Sequence, residues 1–406
     1  MRLILLKNTF LFLVLGLIGC MDQQAQNTYS DSVSDKGSKL YLGAERMNEY
    51  LPLLNGKKIG VVANQTTVLY RNNGSNIHLV DSLLSRGIQL QKVFAPEHGF
   101  RGEADAGELV KDGVDTQTGL PIVSLYGKNK KPSAEQLQGL DWVIFDIQDV
   151  GARFYTYIST LHYVMEACAE QGIAVMVLDR PNPNGHYVDG PVLEVANQSF
   201  VGMHPVPVVH GMTVGEYAQM INGQKWLKNE VQPELKVIQM QGYSKGMLYS
   251  LPIRPSPNLP NDQSINLYPS LCFFEGTPVS AGRGTETQFQ VFGAPFLPED
   301  RYSYGFTPVA NTGAKYPKFK NEACSGIDLR DYPKLDQLNL KWLIQAYQDS
   351  PDKDKFFNNF FVKLAGTDQL QQQIKDGWSQ EQIRESWQAG LSAYREMSSA
   401  YRLYPD

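Results

Sequence analysis

Residues 94–108 read FAPEHGFRGEADAGE, and a span of twelve positions holds Glu97, His98, Arg101, Glu103, Asp105 and Glu108. Gly99, Gly102 and Gly107 keep the stretch from forming an ordinary helix. A carboxyl group beside a histidine and an arginine has the makings of acid–base chemistry, because burial and neighbouring charge move its proton affinity toward what a transfer needs. Glu97 follows an apolar run and Pro96, so partial desolvation makes it the candidate proton donor, with His98 or Arg101 setting its protonation. The plain alternative is a structural Glu97–Arg101 pair.

Such a loop needs a scaffold, and residues 40–205 alternate strand and helix. KKIGVVAN (57–64), IQLQKVFAPEHG (88–99), PIVSLYG (121–127), DWVIFDIQD (141–149) and IAVMVLDRPNP (173–183) read as strands. NIHLVDSLLSRG (76–87), SAEQLQGL (133–140) and FYTYISTLHYVMEACAEQG (154–172) read as helices. Near-continuous apolar strands separated by helices predict an α/β fold with a parallel sheet covered on both faces. Ligands of such sheets bind beyond the carboxyl ends of the strands. Those ends carry Asn64 and Gln65, Glu97 and His98, Tyr126, Asp146 and Asp149, then Asp179 and Arg180. Five polar ends exceed what wet loops alone account for.

The motifs of other chemistries are missing from the sequence. No GxGxxG follows the first strand, and there is no phosphate-binding GxxxxGK[ST], no GxSxG and no HExxH. The six histidines are scattered, so no metal and no cofactor is expected; the alternative is a metal held by His98 with nearby carboxylates. A net charge of −5 and a pI near 5.8 disfavour a nucleic-acid partner. The surviving class is a hydrolase or lyase run by carboxylates, aromatics and arginines. Cys168, Cys272 and Cys324 lack metal-type spacing and are assigned no role.

At the N-terminus, Arg2 and Lys7 precede the apolar run FLFLVLGLIG, which ends at Cys20. The stretch LIGC resembles a bacterial lipobox, so residues 1–19 are expected to be a lipoprotein signal and Cys20 the lipidated residue. Residues 20–39 read as a flexible tether. This places the protein at the cell envelope, lipid-anchored, on the periplasmic side or at the outer membrane. In the second half, Thr213 with Glu216 and Ser379 with Gln382 form capping boxes. LKVIQMQGY (235–243) is strand-like. Residues 254–296 read as a long Pro-, Asn- and Gly-rich loop suited to binding, or as a β segment with many turns. They include Glu275, Arg283 and Glu286. The aromatic stripe Trp387, Tyr394 and Tyr401 is expected to pack in the core.

Several long blocks carry a resemblance: FAPEHGFRGEADAGE, FDIQDVGARFYTYISTL, LDRPNPNG, GPVLE, SFVGMHPVPVVHGMTVGEYA, SPNLPN and FFEGTPVSAGRGTETQFQVFGAP. They resemble the NamZ-type exo-β-N-acetylmuramidases over roughly residues 40–406. The resemblance implies a Rossmann-like domain without nucleotide (40–205), a smaller α+β C-terminal domain (206–406) and a cleft between them. It also implies release of N-acetylmuramic acid from the non-reducing end of peptidoglycan-derived disaccharides or muropeptides. The alternatives are an envelope lipoprotein that binds glycan without cutting it, and a hydrolase of another amino sugar.

Glycosidases usually pair two carboxyl groups. With Glu97 as acid, the second is sought among Glu103, Asp146 and Asp149. An attacking acetamide oxygen instead needs a carboxylate or a tyrosine, such as Tyr155, Tyr157 or Tyr126, to orient it. The lactyl carboxylate of muramic acid calls for arginine, with Arg153, Arg180 and Arg283 as candidates. Asn182 and Asn184 suit either ring hydroxyls or a turn. Asn64, Arg101, Asp149, Asp179, His210, Glu275 and Glu286 complete the expected binding set.

Overall fold

The computed structural model describes residues 39–70, 74–101 and 112–406. Its largest element is a seven-stranded sheet. In spatial order the strands are Gly113–Val114, Pro121–Ser124, Gln89–Ala95, Lys58–Ala63, Trp142–Asp146, Ala174–Leu178 and Leu235–Ile238. Every pairing is parallel except that of Gly113–Val114. Numbered along the chain, the six parallel strands run 3-2-1-4-5-6, the Rossmann order. The order reverses between Lys58–Ala63 and Trp142–Asp146, the kind of switch point beside which open parallel sheets bind ligands.

The strands are apolar on both sides because both sides are covered. Ile59, Val61, Ile144 and Met176 pack with Tyr50, Leu54 and Leu83 on one face. The intervening Val62, Val143, Phe145 and Val175 pack with Ile158, Leu161, Met165 and Tyr217 on the other. This is the period-two alternation of a strand working two cores. Helix Tyr157–Gln171 supplies much of the second face and stops at Gly172, whose φ of 67° gives the left-handed cap.

Ser38–Asp406 pack as one unit. The last sheet strand, Leu235–Ile238, comes from beyond residue 205, so the sheet draws on both sides of the expected division. A smaller antiparallel sheet joins Val291–Ala294, Cys324–Asp328 and Tyr304–Phe306. Helices from Lys341–Asp349 to Gln380–Ser399 follow it.

Two expected elements differ in detail. The helix expected over 76–87 begins as strand Asn76–His78, paired with Val68–Tyr70, and turns helical only at Leu79. His78 caps that helix and also bonds the Asn64 carbonyl, a tertiary contact that holds it out of the helix. The stretch 254–296 is not one long loop. It contains helix Asp262–Leu271, opened by the Asn261–Ser264 capping box, and strand Val291–Ala294. Pro269 within that helix masks its periodicity. The capping boxes at Thr213 and Ser379 both form, and Trp387 and Tyr394 are buried.

Candidate active site

Strand Gln89–Ala95 delivers Glu97 to the carboxyl edge of the sheet, where the chain reverses in a tight turn. The Gly99 amide donates to the Pro96 carbonyl, and His98 sits in that turn at a φ of 73°. A positive φ at this turn position favours Gly or Asn, so a histidine there is strained. Such strain concentrates at functional sites. His98 is 4% exposed and, with Glu97, lines a half-open cavity of about 190 Å³.

Two stretches supply most of the remaining wall, with Val201, Phe360 and Leu364 beside them. From the start of helix Tyr157–Gln171 come Phe154, Tyr155, Thr156 and Tyr157; from residues 256–289 come Ser256, Asn258, Tyr268, Glu275, Arg283 and Phe289. The Thr156 hydroxyl donates to Glu97 Oε2 at 2.8 Å. Tyr126, from the end of the next strand, also bonds Glu97; burial and this carboxylate raise its phenol pKa. Asn64 donates to the Tyr157 hydroxyl at 2.9 Å. Tyr155 and Tyr157 donate to the Pro255 carbonyl at 2.8 and 3.3 Å, which ties the 255–259 segment over the strand ends. Glu275 and Arg283 face each other at 3.5 Å, both partly exposed, and the buried Arg283 Nε has no protein partner. The cavity therefore presents two carboxylates and one guanidinium on an aromatic lining. A 190 Å³ space is smaller than the roughly 300–1,000 Å³ of a drug-sized site, and so suits a single sugar ring.

The other predicted residues are placed elsewhere. Asp146 and Arg180 form a bidentate pair at 2.6 and 2.8 Å, both buried, and Arg180 also donates to the Val68 carbonyl. Asp179 accepts from Thr213, Gly215 and Tyr404, and burial raises its pKa to about 6. Arg153, fully buried, donates to the carbonyls of Pro191, Val206, Leu364 and Ala365, and burial lowers its pKa to about 9. Asn182 and Asn184 bond the carbonyls of Met212, Val150 and Ile265 and each other's turn, which is the turn-forming option. None of these lines the cavity. Arg101 is held by Asp115 and Asp81 and not by Glu97, and it keeps the Asp115 carboxyl down at about 2. Asp149 and His210 lie buried 3.9 Å apart; burial pushes the carboxyl up to about 7 and the imidazole down to about 3. Glu286 lines a neighbouring cavity. Glu103 and Cys20 lie outside the described residues.

Sequence reasoning missed Thr156, Ser256 and Asn258 in the cavity wall. Thr156 precedes a helix, an ordinary capping position, and carried no separate signal. Ser256 and Asn258 sit in SPNLPN, and only a long-range fold brings that segment to Glu97.

The family model for the N-terminal part of the exo-β-N-acetylmuramidase NamZ matches residues 59–263, and that for its C-terminal part matches residues 266–404. The peptidoglycan β-N-acetylmuramidase NamZ of Bacillus subtilis (strain 168) is 37% identical over 420 residues, covering 98% of this chain and 100% of the relative. A crystal structure of a DUF1343 family protein from Bacteroides fragilis NCTC 9343 superposes with a TM-score of 0.84 at 43% identity, covering 91% of this chain and all of that one. A second DUF1343 structure from the same organism gives 0.76 at 29% identity, covering 90% and 99%. With both halves matched and a near full-length relative, the chain belongs to the NamZ exo-β-N-acetylmuramidase family.

Proposed function

We propose that the chain is an exo-acting glycosidase that removes N-acetylmuramic acid from the non-reducing end of peptidoglycan fragments. The observation that carries this reading is the convergence of Glu97, Glu275 and Arg283 in one ring-sized cavity at the carboxyl edge of the sheet. In this reading Glu97 protonates the departing glycosidic oxygen, and the Thr156 and Tyr126 hydroxyls hold its carboxyl group in place. Glu275 is the second carboxylate of the cavity and favours the positive charge that develops at the anomeric carbon. Arg283 has an unused donor and reads the lactyl carboxylate, the feature that separates muramic acid from glucosamine. The test is incubation with a disaccharide of N-acetylmuramic acid β-linked to N-acetylglucosamine. Release of free N-acetylmuramic acid is expected. Binding without release would favour a glycan-holding protein instead.

We further infer that LIGC directs lipidation at Cys20 and holds the enzyme at the cell envelope. Among the described residues no helix is long and apolar enough to cross a membrane, so attachment in this reading rests on the N-terminal signal. Cys20→Ser should leave the precursor uncleaved or release the protein from membranes. Normal processing and unchanged membrane association would count against lipidation.

A further inference from the structure

Glu275 sits near the end of a short helix, Cys272–Gly276. A helix end leaves carbonyls that must be satisfied from outside, and here the partner is Lys318. Its Nζ donates to the carbonyls of Phe274, Thr277 and Val279 at 2.7, 2.7 and 3.1 Å. An ammonium has three N–H groups, and these three bonds use them all. The three carbonyls fall on both sides of Glu275 in the chain, so one distant side chain ties the backbone that carries the carboxylate. Lys318 is half-buried and is not among the residues that line the cavity. It holds the wall and does not touch the space where the sugar would lie.

The segment that bears Lys318 is itself fixed against the other charged residue of the wall. The Val309 amide donates to the Gly284 carbonyl at 2.8 Å, and Pro317 packs so closely on Gly284 that a Cβ there would lie 2.6 Å from the proline ring. Gly284 follows Arg283, whose Nη2 reaches the Gly313 carbonyl at 3.4 Å. Phe319, next to Lys318, has a φ of 55°. A bulky residue keeps that conformation only where its surroundings enforce it, and its ring packs against Phe296 with 6.4 Å between centroids. Residues 309–319 thus brace the stretch that carries Glu275 and Arg283, and they aim the Lys318 side chain. Burial lowers the Lys318 pKa, and the Glu275 carboxylate opposes that change, so the two charges are close enough to act on each other.

We propose that Lys318 is a positioning residue, which fixes Glu275 against the reacting sugar by tying the carbonyls of Phe274, Thr277 and Val279. The proposal rests on the reading of Glu275 as the second carboxylate of the site. The experiment is a double-mutant cycle on the N-acetylmuramic acid–N-acetylglucosamine disaccharide. It compares the purified parent, Lys318→Met, Glu275→Gln and the double variant, each checked for folding by thermal melting. In the parent background Lys318→Met should lower kcat about ten- to a hundredfold, the scale on which a small misplacement of a reacting group acts. KM should change by less than about twofold, because the loss falls on the transition state and not on ground-state binding. In the Glu275→Gln background the same substitution should change kcat by less than about threefold, since residues that act through one another are not additive. Lys318→Gln keeps two N–H donors and carries the same cycle if methionine at 318 fails to fold. An equal loss in both backgrounds overturns the proposal, because it marks a general structural role. So does a parent-like kcat for folded Lys318→Met beside an impaired Glu275→Gln. A fully active Glu275→Gln overturns the reading of Glu275 itself, and the positioning role of Lys318 falls with it.

Discussion

Asp146 and Glu97 both stand at the carboxyl ends of parallel strands in one sheet, and both were candidates for the same chemistry. Asp146 faces Arg180 through two hydrogen bonds, and both residues are buried. The pair locks adjacent strand ends together and has nothing left to offer a ligand. Glu97 takes hydroxyl donors from Thr156 and Tyr126 and lines a cavity that also holds Glu275 and Arg283. The difference lies in the partner and in the opening. A guanidinium that satisfies both oxygens makes a carboxylate into scaffold; hydroxyls beside an open space leave it available for proton transfer.

Substitutions can break that contrast. The largest effect should come from Glu97→Gln, which keeps the shape and removes the proton. General acid catalysis contributes roughly 10²–10⁴-fold, so kcat on the natural disaccharide should fall by about that much with the melting temperature unchanged. An aryl muramide, which needs little protonation, should lose less. A folded, nearly fully active variant would move the acid elsewhere.

Asp146→Asn should behave in the opposite way. It leaves Arg180 buried without its counter-charge, which costs about 3–5 kcal/mol of stability. Activity per folded molecule should stay close to the parent's. Chemical denaturation with parallel kinetics separates the two, and a stable but inactive variant would place Asp146 in the chemistry after all.

Arg283→Gln sharpens the contrast within the cavity. Losing a charge-assisted hydrogen bond of about 1.5–3 kcal/mol should cut muramide turnover roughly ten- to a hundredfold relative to glucosaminide turnover. Equal loss on both sugars would remove Arg283 from lactyl recognition.

A purely pH-dependent effect belongs to Asp149. Its folded pKa, about 7, lies above the ordinary carboxylate value because of burial. The folded state therefore binds the extra proton, and this contribution to stability is complete below the unfolded pKa near 3.8 and is lost as pH rises through about 7. Asp149→Asn removes that loss. Melting temperatures from pH 5 to pH 8 should shift in favour of the variant as pH rises; a gap constant with pH would show that Asp149 stays in one state.

Much of the scaffold was legible before the structure, because strand periodicity and capping boxes are local signals. Lys58–Ala63, Trp142–Asp146 and the Ser379-capped helix all form within the expected runs. The candidate site was legible only in part. Glu97 stood out by type and position, and Glu275 and Arg283 lay in a segment expected to bind. Which charges would meet each other was hidden, since Arg153 finds carbonyls 211 and 212 residues away and Arg180 finds a carboxylate 34 residues away. A sequence shows that an arginine is present; only the fold shows whether its donors are already taken.

The last residues of the chain close the sheet edge. The Tyr404 hydroxyl donates to Asp179 at 2.7 Å and accepts the Met240 amide, while the Leu403 amide donates to Glu216 at 2.8 Å. Both carboxylates are buried. A ribosome delivers Tyr404 225 residues after Asp179, a delay of roughly 10–45 s at 5–20 residues per second. Until then the end of strand Ala174–Leu178 lacks one of its donors, and the nascent chain cannot reach its final stability. Deletion of residues 401–406 should hold the protein in that unfinished state and make it protease-sensitive.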